Sequence, residues 1–150
     1  MKIHVAFAAT ALIALASAAP AVLAQQDPIA TRKAIMKKNG EHAKLGAKMV
    51  KSEEPFDLEK AKTIFVVFQQ AADEVPNLFP VDSKTGGETE ALPKIWEDMA
   101  DFKAKFAKFG ADAKAAQASV TDFDSFKASF GAVMKNCGGC HELYRVKKNG

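Results

Sequence analysis

Residues 121–144 read TDFDSFKASFGAVMKNCGGCHELY, and apolar side chains recur along this stretch every three or four residues. That spacing is typical of an amphipathic helix with one face turned towards a core. Thr121 or Asp122 is suited to cap its start, because a short side chain with an oxygen can accept a hydrogen bond from a free amide of the first turn. We therefore predict a long last helix, with a stripe formed by Phe123, Phe126, Phe130, Val133, Cys137, Cys140 and Tyr144.

Three further segments with helical apolar spacing precede this helix, and no segment shows the alternation typical of a strand. We expect them over about 28–51, from Asp57 to about Val75, and from near Pro93 to about 116–118. The connection over 76–90 is the longest and is rich in Pro, Gly and polar residues. Four amphipathic helices joined in this way predict an all-α fold, an antiparallel four-helix bundle.

The N-terminus has the features of a secretory signal. Lys2 precedes an apolar run over residues 5–24, which Pro20 breaks and which ends in small residues. Val22 and Ala24 fit the −3 and −1 positions of a cleavage site. We therefore predict that residues 1–24 are removed and that residues 25–150 form a single domain. An uncleaved membrane anchor is the alternative, because the apolar run is nearly long enough to span a bilayer.

The charge balance argues against a nucleic-acid partner. The chain has 21 Lys and Arg residues against 18 Asp and Glu, and Lys2 belongs to the predicted signal. No basic cluster is interleaved with aromatic residues, as a nucleic-acid surface would need. After cleavage we expect an exported, nearly neutral protein without membrane attachment.

Both cysteines, Cys137 and Cys140, lie in the predicted last helix, and His141 follows directly. At helical spacings of three and four residues, the three side chains share one face. A disulfide closing so short a loop would stabilise the fold little. Cys-x-x-Cys-His is the attachment signature of a c-type haem, in which the thiols bond to the macrocycle and the imidazole reaches its iron. We therefore predict one covalently attached haem c.

Two other interpretations of the cysteines stay open at this point. A redox dithiol is typical of a βαβ context, whereas this chain has no predicted strand. A structural zinc ion needs four ligands, and in the mature chain only His42 adds a usual nitrogen or sulfur ligand to the three motif residues. Cys140 and His141 are also adjacent in sequence, so they converge poorly on one metal ion.

The predicted proximal iron ligand is His141. Nine residues follow it, and none is Met or His, so a sixth ligand has to come from upstream. We favour Met36, because Gly40 and Ala43 near it leave room for a porphyrin against the first helix. An ordinary core role for Met36 is the alternative, since methionine readily fills gaps. The other candidates are Met99 and Met134, expected in the core, Met49, expected beside solvated lysines, and His42, expected at the border of the apolar face.

Arginine usage adds a second indication. The chain has 19 Lys residues and only two Arg residues, Arg32 and Arg145, one a turn before Met36 and the other four residues after His141. The planar guanidinium pairs with carboxylates through two hydrogen bonds, which lysine cannot do. We therefore predict that each arginine lies near the haem and its propionates. Two ordinary surface arginines are the alternative.

Three motifs, CGGCHELYR, PKIWEDMADFKAKF and RKAIM, are similar to those of the cytochrome c-prime family, the class II c-type cytochromes. The resemblance covers essentially the whole mature chain. It implies a periplasmic four-helix bundle with one covalent haem near the C-terminus, and it implies a haem-pocket position for Trp96. Bundles of this family can dimerise, so a monomer or a homodimer is expected.

The family resemblance implies one of two chemistries. High-spin members leave the iron five-coordinate and bind nitric oxide or carbon monoxide, whereas low-spin members use a methionine of the first helix and carry electrons. The stretch MKKNGEHAKLGAKMVKSEEPFD is similar to the low-spin branch, and Lys33 departs from the Gln that often follows the distal arginine of high-spin members. We therefore expect a low-spin carrier of single electrons rather than an enzyme, with partner redox proteins that dock transiently.

Overall fold

Four long helices and one short helix make up the structure, a computed structural model that describes residues 27–147. They are α1, Pro28–Val50; α2, Leu58–Glu74; α3, Lys94–Glu97; α4, Met99–Ser119; and α5, Phe123–Tyr144. No strand lies within the described range, and its single β-bridge joins Ala91 to Arg145. The predicted all-α, antiparallel four-helix bundle is confirmed. The predicted signal peptide lies outside the described residues.

An aspartate caps the start of every long helix. In each case its carboxylate accepts a hydrogen bond from a backbone N–H of the first turn, which would otherwise lack a partner. The four pairs are Asp27 with Ile29, Asp57 with Lys60, Asp98 with Asp101, and Asp122 with Ser125, at 2.8 to 3.0 Å. Of the two caps considered for the last helix, the structure therefore uses Asp122.

The third predicted helix is wrong in one respect, because it is not continuous from Pro93. Asp98 has φ −134° and ψ 66°, which are not helical angles, and it divides the short α3 from α4. The break has a clear cause, since the Asp98 carboxylate leaves the helical path to cap α4. As a result, Ile95 and Trp96 belong to a separate turn and their directions are not set by the α4 stripe.

Phenylalanines fill the core between α2, α4 and α5. Phe65, Phe68 and Phe126 have at most 1 % of their surface exposed. The Phe65 and Phe126 rings meet edge to face at 6.0 Å between centroids, a favourable arrangement of aromatic quadrupoles. Met49 is fully buried among them, so the expectation that it lies beside solvated lysines is wrong. Burying each such side chain stabilises the fold by roughly 1.5–3 kcal/mol.

The connection between α2 and α3 packs against α1 and against the end of α5. Lys33 of α1 donates to the carbonyl oxygens of Gly87 and Glu88 at 3.4 and 3.3 Å. On the other side, Leu92 N–H donates to the Tyr144 carbonyl at 3.0 Å, and Val146 N–H donates to the Glu90 carbonyl at 2.8 Å. The longest connection of the fold is therefore held to α1 and to the end of α5. No helix in the described part of the chain has the length and apolar character needed to cross a membrane.

Helices α1 and α5 approach closely at Gly46. A Cβ atom built there would overlap Cε2 of Phe130, closer than real Cβ contacts come. Only glycine therefore fits this point of α1 without moving the Phe130 ring, which is itself 5 % exposed.

We expect Gly46→Ala to lower the free energy of unfolding by about 1–3 kcal/mol, the usual cost of overpacking a core. Gly131→Ala on α5 is the matched control. Its added Cβ meets nothing within 4 Å, so it should stabilise the helix by about 0.5–1 kcal/mol. Chemical denaturation of both purified proteins measures the effects, and equal stabilities would contradict the close approach.

Candidate haem site

A cavity of about 640 Å³ is lined by residues of all five helices and of the α2–α3 connection. That volume is within the range usual for cofactor sites. Most of its lining is apolar, with Phe68, Phe102, Phe106 and Phe109 among the contributing side chains. The cavity also brings together six of the seven residues predicted from the sequence, namely Arg32, Met36, Cys137, Cys140, His141 and Arg145.

Helix α5 presents the attachment motif to this cavity. Cys137 and Cys140 are half-buried, and they do not form a disulfide with each other. Burial raises the pKa of both thiols, that of Cys140 to about 11, because a thiolate would lose its hydration there. His141 lines the cavity on the same helix, and partial withdrawal from water lowers the pKa of its imidazole, with Arg145 adding to the effect. Near pH 7 this favours two thiols and a neutral imidazole.

Two hydrogen bonds to α4 bracket the motif. Asn136, directly before Cys137, donates to the Asp112 carboxylate at 2.9 Å. Three residues after His141, the Tyr144 hydroxyl donates to Asp101 Oδ2. The haem-binding turns of α5 are therefore held against α4 at both ends. Sequence reasoning missed both contacts, and the position of Asn136 immediately before Cys137 was the signal that could have suggested one of them.

These contacts also change the acidity of the groups that make them. The Tyr144 hydroxyl, more than any other group, lowers the pKa of Asp101, and Lys105 contributes at 3.6 Å. Burial and the neighbouring Asp101 raise the pKa of the Tyr144 phenol, so it remains a hydrogen-bond donor at neutral pH. The Asp101–Tyr144 hydrogen bond is therefore charge-assisted, which makes it stronger than a neutral one.

The opposite wall of the cavity comes from α1. Met36 is half-buried there, with Gly40 and Ala43 beside it in the lining. Of the methionines that line the cavity, Met134 lies on α5 together with His141, so Met36 is the one on the facing helix. The remaining candidates, Met49, Met99 and His42, do not line the cavity.

Asn39, one turn after Met36, supplies an observation that fits a bound group. Its Oδ1 atom is buried and has no hydrogen-bond partner among the described residues, although it belongs to a side chain that lines the cavity. A buried polar atom usually has a partner, because leaving it unpaired costs free energy. Two unpaired thiols, an apolar lining and this unsatisfied amide together fit a porphyrin with polar substituents.

The two arginines differ sharply in their surroundings. Arg145 is exposed, and its Nε atom lies 3.8 Å from a Glu90 carboxylate oxygen. Arg32 is only 4 % exposed, and its terminal nitrogens donate four hydrogen bonds to the α2–α3 connection. Both side chains line the cavity. Their proximity to haem propionates stays a prediction, and for Arg32 only the Nε–H is left to make such a contact, since a guanidinium has five N–H groups.

Trp96 lies outside the cavity lining, which differs from the haem-pocket position that the family resemblance implied. Its neighbour Ile95 occupies the wall instead, because the two side chains of the short α3 point in different directions. The Trp96 indole N–H donates to the Phe79 carbonyl at 3.0 Å, and its ring lies 5.9 Å from the Arg32 guanidinium. Trp96 therefore supports the connection that Arg32 holds.

The arrangement does not fit a bare metal ion. Among residues 27–147, no group of three or more His, Cys, Asp or Glu side chains could hold one. The donors that converge on the cavity are instead two thiols and an imidazole on one helix, facing a thioether on another. This donor set fits a covalently attached haem.

Comparison with known proteins agrees with this chemistry. Residues 27–145 match the family model described as Cytochrome C'. The chain belongs to the cytochrome c' family. It is therefore a monohaem c-type cytochrome with covalently bound haem c, rather than an enzyme, as the sequence predicted. The match lies within the predicted domain of residues 25–150.

Two relatives and one solved structure are similar to this chain over most of its length. A protein named cytochrome c' from Rhodopseudomonas palustris is 48 % identical over 127 residues, covering 85 % of this chain and 87 % of that protein. A protein named cytochrome c-556 from the same organism is 34 % identical, covering 90 % and 93 %. The structure of R. palustris cytochrome c' superimposes with a TM-score of 0.81 at 48 % identity, covering 83 % of this chain and all of that one.

We expect Tyr144→Phe to raise the pKa of the Asp101 carboxyl towards its ordinary value, because its strongest stabilising hydrogen bond is lost. A carboxyl with a lowered pKa in the folded state adds stability above its unfolded pKa of about 3.9, and this stability is lost as pH falls through the folded value. The variant should therefore lose less stability than the wild type between pH 5 and pH 2.

NMR titration of the Asp101 carboxyl and denaturant unfolding at several pH values measure these two effects. Asp122, whose pKa is lowered by Ser125, is an internal control that should titrate alike in both proteins. An unchanged Asp101 titration would show that the Tyr144 contact does not stabilise the ionised carboxylate.

Proposed function

We propose that this cytochrome carries single electrons with a low-spin haem, whose axial ligands are His141 and Met36. The observation that carries the proposal is the position of Met36, on the helix that faces the motif across the cavity. Its thioether is half-buried beside Gly40 and Ala43, where the small side chains leave space next to it. Histidine and methionine ligation raises the potential of a haem, which suits an electron carrier.

The residues of the chain have separable tasks in this proposal. Haem, when bound, supplies the one-electron chemistry at its iron. Cys137 and Cys140 hold the group covalently, and the apolar wall of phenylalanines keeps water away from it. Asn136 and Tyr144 hold α5 so that His141 points into the same cavity as the two thiols. Arg145 lines the cavity beside the motif, where its guanidinium can pair with a haem carboxylate.

A second candidate is a high-spin cytochrome that binds nitric oxide or carbon monoxide, with Met36 only shielding the sixth position. The comparisons favour this candidate, because the 48 % identical relative and its solved structure both carry the name cytochrome c'. The relative named cytochrome c-556 has a lower identity of 34 %. The position of Met36 favours the first candidate, and a spectrum distinguishes the two.

We further propose that the protein works in the periplasm as a monomer or homodimer and meets partner redox proteins by transient docking. The N-terminal apolar segment supports export, and attachment of a c-type haem fits that compartment. Acidic and basic residues are nearly balanced, 18 against 21 in the full chain, which suits brief encounters without a strongly charged partner.

For the ligands, we expect the visible spectrum of the reduced protein to be low-spin and unchanged by carbon monoxide at neutral pH. Met36→Ala should convert it to a high-spin spectrum that responds to the gas, because the sixth position is then open. Met134→Leu is the matched control, since Met134 lines the same cavity from α5 and should leave the spectrum low-spin. Ready carbon monoxide binding by the wild type would establish the second candidate instead.

For export, we expect the mature protein purified from a periplasmic extract to begin at Gln25. Intact-mass spectrometry should give the mass of residues 25–150 plus one haem. Replacing Ala24 with a bulky residue should block cleavage, because the −1 position accepts only small side chains. A mature protein that retains residues 1–24 would support the membrane-anchor alternative.

A further inference from the structure

We propose that Arg32 raises the reduction potential of the haem through a buried positive charge that is not paired with a carboxylate of the described protein residues. The inference requires only a haem in the cavity, which family membership supplies. It holds for either axial arrangement discussed above, so it can fail or succeed independently of the Met36 assignment.

The positive charge of Arg32 is buried. Arg32 is 4 % exposed, and Phe79 covers its guanidinium at 4.3 Å from the ring centroid. Removal from water lowers the pKa of Arg32, and the Asp27 carboxylate, which forms no ion pair with it, partly offsets this effect. Arginine nevertheless keeps its proton in proteins, so a full positive charge lies in the cavity wall.

The hydrogen-bond partners of the Arg32 guanidinium are all neutral groups. The terminal nitrogens donate to the Leu78 carbonyl and Ser83 Oγ at 2.9 Å, to the Ser83 carbonyl at 3.0 Å and to Thr89 Oγ1 at 2.7 Å. These contacts satisfy the hydrogen-bond donors but do not cancel the charge. Among the described residues, no carboxylate lies within 4.0 Å of the guanidinium.

Three other cations that line the cavity are paired with carboxylates, and Lys37, which also lines it, is exposed to solvent. Lys33 lies 3.7 Å from the Glu88 carboxylate, Lys105 lies 3.6 Å from Asp101, and Arg145 lies 3.8 Å from Glu90. The side chains of these three paired cations are also at least 33 % exposed. Water therefore screens the part of their positive charge that the carboxylates do not neutralise. Arg32 combines burial with the absence of a paired carboxylate, so its field in the cavity is the least screened.

The sign of the effect follows from the electron count. Reduction adds one electron to the haem and removes one positive charge, without making or breaking a bond. A nearby fixed cation disfavours the oxidised form more than the reduced form, and therefore raises the potential. Partly buried charges separated by roughly 10 Å interact by an amount equivalent to about a tenfold change in an equilibrium constant.

The test is the midpoint potential of the haem-loaded protein, measured by titration with soluble one-electron mediators. Arg32→Met and Arg32→Gln remove the charge, and each should lower the equilibrium constant for reduction about tenfold, which is 59 mV for one electron. Arg32→Lys keeps the charge but cannot make the four hydrogen bonds. It should retain most of the potential while the protein becomes easier to unfold.

Two control variants separate charge from structure. Ser83→Ala combined with Thr89→Ala removes two hydrogen bonds of Arg32 and leaves its charge, so the potential should stay near that of the wild type. Lys33→Met removes an exposed, paired cation of the same cavity and should also have little effect. The visible spectrum of each variant shows whether the axial ligands are unchanged, which keeps this test distinct from that of Met36.

Two results would overturn the inference. One is an unchanged potential in both neutral variants at position 32. The other is a fall in the Ser83→Ala, Thr89→Ala double variant as large as that in Arg32→Met, because the loop structure and not the charge would then set the potential.

Discussion

The hydrogen bonds that hold α5 against α4 are the constraint on which the haem site depends. Covalent attachment requires Cys137, Cys140 and His141 on one face, and α-helical spacing supplies that face. The direction of the face is a separate matter, since a helix can rotate about its axis. Asn136 and Tyr144 remove that freedom at both ends of the motif by binding carboxylates of α4. The chemistry of the motif thus relies on two contacts outside it.

The α2–α3 connection has a comparable part in shaping the cavity. It has no strand, yet Arg32 binds it at three residues, and Trp96 donates to it from α3. The cost of burying a guanidinium is met by four hydrogen bonds to this one segment. A long, polar connection therefore becomes a defined wall. The same arrangement leaves a positive charge in that wall, so one residue contributes both to structure and to the field in the cavity.

Much of this fold follows from local patterns in the sequence, and so does the attachment motif of the site. The helix caps Asp27, Asp57 and Asp122, and the one-face placement of the motif, depend on residues two to four positions apart. Met49 was misjudged because its surroundings come from other helices. Met49 is buried where the core closes at the end of α1. Trp96 lies in a separate turn because Asp98 caps α4, and spacing alone cannot distinguish a continuous stripe from a stripe with such a break.

The backbone pairing of residues 90–92 with residues 144–146 has a mechanical consequence. Helices α1 and α5 touch little and approach closely at Gly46, whereas the connection is bound to Arg32 on one side and to the end of α5 on the other. This bridge, together with helix packing through α2 and α4, therefore sets the separation between the walls that carry Met36 and His141. Changes in the length of that segment, far from the iron in sequence, would widen or narrow the gap that a sixth ligand has to cross.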